Sequence, residues 1–246
     1  MVQKKGAVNI LNLVEVFGVS AETIRRDLLA MESQGKLLRV HGGAVAKRDM
    51  KPFYNLNERN KEYHRQKQEL AAKAIEYVKD GDIIAIDSGS TAVVFAENLR
   101  VKKLRVTVIT HSIDVFQVLC MENQIELILT GGCYMPQEKS FVGEIALDTL
   151  QRLHVQKLFL CPSGISYGSG IWDYQSDLVQ LQKQLIRNAD KVYVLADSSK
   201  FEKKAFLKLD EMSLNHRYIT DSGLPEELRT LYQEKGFKVD IGGSKE

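Results

Sequence analysis

The run Ile83-Ile84-Ala85-Ile86-Asp87 leads into Ser88-Gly89-Ser90-Thr91 and then into a helical pattern. A β-branched run, a loop of small hydroxylated residues and a helix start bring unpaired amides, a positive helix end and three hydroxyls to one place. Such a place holds a phosphate; the same residues also read as an ordinary capped helix after a strand. The G-x-x-x-x-G-K-S/T spacing of a P-loop and the dinucleotide fingerprint are both absent, so no nucleotide cofactor is expected. Other apolar runs end in comparable residues: Thr110-His111-Ser112, Thr130-Gly131-Gly132 and Ser163-Gly164. Ala196-Asp197-Ser198-Ser199-Lys200 adds a cation. Lys200 is able to reach a phosphate or sugar oxygen as a point charge, although a lone loop lysine is most often simply solvated. In open α/β sheets, ligands collect beyond the carboxyl ends of strands, where these segments converge.

A second chemistry lies near the start. Asn9–Phe17 reads as a short helix with Ile10, Leu13, Val14 and Phe17 on its apolar face. Gly18 supplies a turn, and Ser20 is placed to cap a second helix through the amide of Thr23. In that helix Ile24, Leu28 and Met31 face inward, which leaves Ala21, Glu22, Thr23, Arg25 and Arg26 outward at its N-terminal end. Small and hydroxylated residues permit close approach to a groove, and arginines bind phosphate or guanine edges. The helix is expected to stop at Gly35, and Lys36–Gly43 reads as a hairpin wing with Arg39 and His41 available to a DNA backbone. A solvated surface hairpin of two helices is the bland alternative.

The elements that must position these residues follow from composition and period. At 246 residues, 44% hydrophobic and 27% charged, the chain is an ordinary globular one of one or two domains. Disordered, collagenous, disulfide-scaffold and membrane-spanning classes are excluded. Cys120, Cys133 and Cys161 are odd in number and without C-x-x-C spacing, which fits a reduced cytoplasmic compartment and no zinc site. The net charge of +2 is uneven: residues 1–50 carry eight basic and five acidic groups, and the rest is near neutral. A small basic head suggests a polyanion partner. The head occupies residues 1–45; 46–64, with Pro52 and mixed charge, reads as a linker; 65–246 form the body. There, strand candidates Ile83–Asp87, Val106–Thr110, Ile125–Thr130, Lys157–Cys161, Val192–Ala196, Arg217–Thr220 and Phe237–Ile241 alternate with helical segments. This is the pattern of a mostly parallel sheet covered on both faces.

VSAETIRRDLLAMESQGKLLRVHGGA, with its TIRRDL core and RVHGGA wing, resembles the winged helix-turn-helix of the DeoR family of bacterial transcriptional regulators. The resemblance implies a recognition helix from about Ser20 to Gln34 in the major groove of an operator. Members usually carry a further helix before the position of Gly6, where this chain has only MVQKK; the resemblance leaves two readings, a true start that lies upstream or a trimmed module. DGDIIAIDSGST, VTVITHS, LTGG, SFVGEIA and VLADSSKF are similar to the sensor domain of the same family. That domain is similar in fold to ribose-5-phosphate isomerase and usually binds a phosphorylated sugar. Carried over, Ser88, Gly89, Ser90 and Thr91 hold phosphate; Asp87 and Lys200 meet sugar oxygens; Gly131, Gly132 and Gly164 give backbone access. His111 stands where the family often has Asn and is able to donate in its place. A Glu common near the helix after Gly170-Ile171 is missing, leaving Asp173 or Asp177 as substitutes, or no acidic contact there.

The resemblance thus implies a cytoplasmic repressor of a carbohydrate operon that binds operator DNA as a dimer or tetramer and answers to a sugar phosphate. A sugar-phosphate isomerase or deaminase is the rival, with Asp87, His111, Asp197 and Lys200 as candidate bases or acids. The recognition helix and wing argue against it. A sugar-phosphate-binding module without DNA contacts is the third reading.

Overall fold

The computed structural model describes residues 7–34, 36–40, 42–46 and 56–243. The chain divides into two compact units, Met1–Tyr54 and Asn55–Glu246. In the first, strand β1 (Ala7–Asn9) precedes helices α1 (Ile10–Phe17) and α2 (Ala21–Ser33), and strands β2 (Leu37–Val40) and β3 (Gly43–Ala46) follow. The strands form an antiparallel sheet ordered β1-β3-β2. Asn9 caps α1 by accepting from the Leu11 amide at 2.8 Å. Gly18, at φ 64°, ends that helix in the left-handed region open to glycine. Ser20 caps α2, its Oγ accepting from the Thr23 amide at 3.2 Å as the spacing predicts. Val8, Leu13, Ile24, Leu28, Leu37 and Ala44 form the small core, with Ile10 and Val14 packed against it. Phe17 and Met31, expected on inner faces, are instead exposed. Both fall in the last turn of their helices, past the turns that supply Leu13, Ile24 and Leu28 to the core. His41 and Gly35 lie outside the described residues.

The second unit begins with the short helix α3 (Leu56–Arg59) and helix α4 (His64–Ala74). Part of the stretch read from composition as a linker, 46–64, is therefore ordered helix, with Leu56 fully buried. The remaining main elements are β4 (Ile83–Ile86), α5 (Ser90–Lys102), β5 (Val106–Thr110), α6 (Ile113–Leu119), β6 (Ile125–Leu129), β7 (Cys133–Met135), β8 (Ser140–Val142), α7 (Glu144–Gln151) and β9 (Val155–Leu160). They continue with β10 (Gly164–Ser166), β11 (Gly170–Asp173), α8 (Ser176–Asn188), β12 (Ala189–Leu195), β13 (Leu207–Asp210), β14 (Arg217–Thr220), α9 (Glu226–Glu234) and β15 (Lys238–Ile241).

Seven of these strands form one sheet ordered β15-β14-β12-β9-β4-β5-β6, every pair parallel. They are the seven anticipated from the apolar runs. The antiparallel pair β7–β8 and the sheet β10-β11-β13 were not anticipated, because strands of three or four residues carry no readable period.

Alternate side chains of the sheet enter two separate cores, as a period of two requires. Ala85, Leu158, Leu160, Val192 and Val194 pack with Leu150 of α7, Leu181 and Leu185 of α8 and Tyr232 of α9. Ile84, Ile86, Phe159, Tyr193 and Leu195 pack with Leu70 and Ala74 of α4, Phe95 and Leu99 of α5 and Leu119 of α6. Phe159 is central to the second core: its ring stacks on Phe95 at 4.2 Å and on Tyr193 at 5.1 Å between centroids. Removing it leaves a large cavity in a close-packed interior. Phe159→Ala is expected to cost about 3–5 kcal/mol in a denaturant titration; a loss under 1 kcal/mol would show that this core repacks freely.

Candidate functional site

The chain runs outward from β4 to β5 to β6, then returns to the other side of β4 as β9 and continues to β12, β14 and β15. The helix after β4 packs on one face and the helix after β9 on the other. The order therefore reverses between β4 and β9, and a crevice opens beyond the carboxyl ends of those two strands. Asp87 sits there, one residue past β4 and fully buried. Its Oδ1 accepts from the Ser88 amide at 2.8 Å and from His111 Nε2 at 3.0 Å. Its Oδ2 accepts from the Cys161 amide and from Gln182 Nε2, each at 3.0 Å. Burial pushes the Asp87 pKa up, but the bond and charge of His111, the Cys161 amide and Gln182 outweigh it and hold the carboxyl below its ordinary value. With four donors on two oxygens, Asp87 fastens β4 to β5, β9 and α8. These contacts give Asp87 a bracing role in the structure.

Beside it, the loop turns at Gly89, whose φ of 98° is open to glycine but strained for other residues. α5 starts at Ser90 with Gly89 as its N-cap and no side-chain capping bond. First-turn amides have no preceding turn to bond, so they are left to whatever occupies the crevice. Thr91 Oγ1 is buried and has no hydrogen-bond partner. Three cations gather at this spot. A Cβ placed on Gly89 would lie 3.9 Å from Arg59 Nη1. Lys67 is buried, and its Nζ donates to the carbonyls of Arg59 at 2.5 Å and Glu62 at 2.6 Å. Burial and then the charge of Lys200 lower its pKa to about 8, which leaves it mostly cationic at neutral pH. Lys200 Nζ donates to the Pro162 carbonyl at 2.9 Å, just past β9.

Carboxylates face these cations. Asp173 is buried and accepts from Ser163 Oγ at 2.8 Å, the Tyr174 amide at 2.7 Å and Gln182 Nε2 at 2.9 Å. Burial raises its pKa despite these donors. Of the two candidate acids after Gly170-Ile171, Asp173 joins the site, while the Asp177 side chain is exposed on the first turn of α8. Glu138, in the turn between β7 and β8, is buried and paired with Arg59 through Oε2. Burial, first, and the neighbouring Asp173 and Asp87 raise its pKa against the lowering pull of Arg59.

Of the residues singled out from sequence, Asp87, Ser88, Gly89, Ser90, Thr91, His111 and Lys200 belong to this crevice or its wall. Gly132 and Gly164 are glycine for another reason. A Cβ at Gly132 would meet the Val142 carbonyl at 2.6 Å, and one at Gly164 the Lys203 carbonyl at 2.5 Å. Their small size serves internal packing. Gly131 follows β6, and a Cβ there would meet nothing within 4 Å. Sequence reading missed Arg59, Lys67, Glu138 and Gln182. Arg59 lay in the supposed linker, and the others have no local pattern that marks a site. Trp172 donates from Nε1 to Ser169 Oγ at 3.3 Å within the β10–β11 hairpin.

In the first unit, Glu22, Arg25, Arg26 and Arg39 are exposed, and Ala21 and Thr23 half-buried. Arg25 Nη1 pairs with Glu22 Oε2 at 3.2 Å, an exposed pair that is worth little and is readily exchanged. Glu32 Oε1 accepts from the Arg39 amide at 2.8 Å and so ties the start of the wing to α2.

A winged helix-turn-helix unit joined to a parallel α/β unit with a cation-lined crevice defines a DNA-binding regulator with a separate sensing body. Residues 1–49 match the DeoR-like helix-turn-helix domain, and residues 62–222 match the DeoR C terminal sensor domain. The chain belongs to the DeoR family of transcriptional regulators. It is 31% identical over 231 residues to the L-fucose operon activator of Haemophilus influenzae, covering 93% of this chain and 91% of that one. It is 32% identical over 236 residues to the lactose phosphotransferase system repressor of Lactococcus lactis, covering 95% and 92%. Among solved structures, ribose 5-phosphate isomerase A from Methanocaldococcus jannaschii is similar at 24% identity, with a TM-score of 0.42, over 56% of this chain and 54% of that chain. Among the described residues no helix is long and apolar enough to cross a membrane.

The Asp87 bracing has a pH signature. Its folded pKa lies below the ordinary 3.8, so its contribution is complete above that value and is lost as pH falls through the folded one. Asp87→Asn replaces an acceptor with a donor and leaves a buried amide facing another donor. A loss of about 3 kcal/mol or more is expected at pH 7, shrinking below pH 3.8. Denaturant titrations at neutral and acid pH measure both; an equal loss at the two would remove the charge from the account.

Proposed function

We propose that this chain regulates a carbohydrate operon, in the sense of a repressor, by sensing a phosphorylated sugar in the crevice beyond β4 and β9. The observation that supports this most is the grouping of Arg59, Lys67 and Lys200, with Arg59 beside Gly89 at the uncapped start of α5. A dianion placed there gains the positive helix end, free amides and fixed cations together. The names of the two relatives, one tied to L-fucose and one to lactose, support a carbohydrate operon. The isomerase reading is weaker because residues 1–49 match a DeoR-like helix-turn-helix domain, for which such an enzyme has no use.

On the DNA side, α2 enters the major groove with Ala21, Glu22, Thr23, Arg25 and Arg26 toward the bases and nearest phosphates. Ser20 fixes its start, and Arg39 and His41 of the wing hold the backbone. A single small head makes few contacts, so the working form is a homo-oligomer that spaces two heads on one operator in the cytoplasm. The ligand acts by linkage: it binds one arrangement of the protein better and thereby shifts operator affinity.

Two measurements test this reading. In a thermal-shift screen, sugar phosphates raise the melting temperature, and Ser90→Glu, which puts a carboxylate in the cradle, abolishes the shift. Full retention of the shift in that variant would move the phosphate elsewhere. In gel-shift titrations, Arg26→Ala weakens operator binding and lowers the slope of log affinity against log salt by about one. An unchanged slope and affinity would remove α2 from the interface.

A further inference from the structure

Three carboxyls are buried about the crevice, and they differ in the donors each receives. Asp87 has donors on both oxygens. Asp173 has them too: Ser163 Oγ and the Tyr174 amide donate to Oδ1, and Gln182 Nε2 donates to Oδ2. Glu138 is 2% exposed; Arg59 is paired with its Oε2, and its Oε1 is buried without a hydrogen-bond partner. An oxygen cut off from both water and donors is where a carboxylate holds its charge least firmly. Of the three, Glu138 is the one with such an oxygen.

Glu138 is also fastened where it stands. Its amide donates to the Met135 carbonyl at 3.3 Å, the Ser140 hydroxyl donates to its carbonyl at 3.0 Å, and the Ile113 amide donates to the Lys139 carbonyl at 2.8 Å. The charged groups around it come from several elements. Arg59 of α3 favours its anion, while Asp173 of β11 and Asp87 beyond β4 oppose it. His111, past the end of β5, is bonded to Asp87. Beside Glu138 in its own turn, Lys139 is paired with Asp114 of α6 at 3.2 Å. Burial, first, and the two aspartates already hold the Glu138 carboxyl above its ordinary 4.5 against the pull of Arg59.

Arg59 stands at the cradle as well, its Nη1 3.9 Å from the place of a Cβ on Gly89. An anion at the start of α5 draws on the same guanidinium and adds negative charge near a carboxylate that is fastened in place. We propose that Glu138 is a proton site coupled to that anion: when Arg59 is shared with the anion, Glu138 takes a proton from solvent, forming an O–H bond at Oε1, and returns it when the anion leaves. The crevice then binds an anion and a proton together, and the regulator answers to acidity as well as to its ligand. This rests on the phosphate-site reading above and concerns its regulation, whatever group the phosphate carries. The sign follows from linkage, because the Glu138 pKa is higher with the anion bound than without it. Anion affinity is greatest below the free-state value, falls by up to about tenfold per pH unit as pH rises toward the bound-state value, and levels off above it.

The test uses the whole protein with sulfate, which keeps both its charges across the range and has no proton of its own to exchange. Calorimetric titrations run from about pH 5 to about pH 7 in buffers of different ionisation enthalpy. Lys67, with its pKa of about 8, is already mostly cationic there. At maximal coupling the wild type takes up about half a proton or more per sulfate, the amount that a one-unit rise in pKa gives. Glu138→Gln, close to isosteric and neutral like the protonated acid, binds sulfate without that uptake and without the pH slope. Difference infrared spectra of the wild type gain a protonated-carboxyl C=O band on sulfate binding, a readout that needs no variant to fold. Sulfate binding with no proton uptake and no new band overturns the inference and leaves the anion site standing. Uptake that survives in Glu138→Gln places the proton elsewhere and overturns it too. If sulfate does not bind the wild type at all, the phosphate-site reading falls, and the inference falls with it.

Discussion

A carboxylate cut off from water is tolerable only when protein donors replace the hydration it has lost. Asp87 meets that condition with four donors from four parts of the chain: its own loop, the end of β5, the end of β9 and the middle of α8. None of the four can shift without exposing the charge to an incomplete shell. The crevice therefore has a fixed floor, and the Ser88–Thr91 loop leaves β4 in one direction only. The same bonds explain why the seven-stranded sheet matters to the site. Strands β4, β5 and β9 must be adjacent and parallel for their carboxyl ends to supply these donors together.

Charge in the crevice is balanced by separation. Cations stand at the start of α5, and carboxylates stand toward α8 and the β7–β8 turn, with Arg59 between them. Among the described residues Lys67 makes no ion pair; it spends two donors on the carbonyls of Arg59 and Glu62 and so pins the backbone that carries Arg59. That backbone is also where the second unit begins.

Much of the architecture was legible before any coordinates. β-branched runs such as Ile83–Ile86 and Val106–Thr110, buried on both faces, announce a parallel sheet, and Ser20 three residues before Thr23 announces a cap. These are local signals, in which period and spacing within a dozen residues decide the outcome. Phe17 and Met31 show where such reasoning stops: both fit the apolar stripe, yet each helix outruns the small core it serves. The short strands β7, β8, β10, β11 and β13 escaped notice because three or four residues are too few to show a period.

By itself, then, the order of amino acids determined the helix-turn-helix, the seven-stranded body and the hydroxylated loop at its first strand end, since each is written in neighbouring residues. Tertiary structure alone decided that Asp87 braces the floor, that Arg59 from an apparent linker reaches the cradle, and that Glu138 and Gln182 close the far wall. Those residues are separated by up to 123 positions, from Arg59 to Gln182. Only the reversal of strand order between β4 and β9 brings them within hydrogen-bonding or charge range of one another, and no local pattern encodes that proximity.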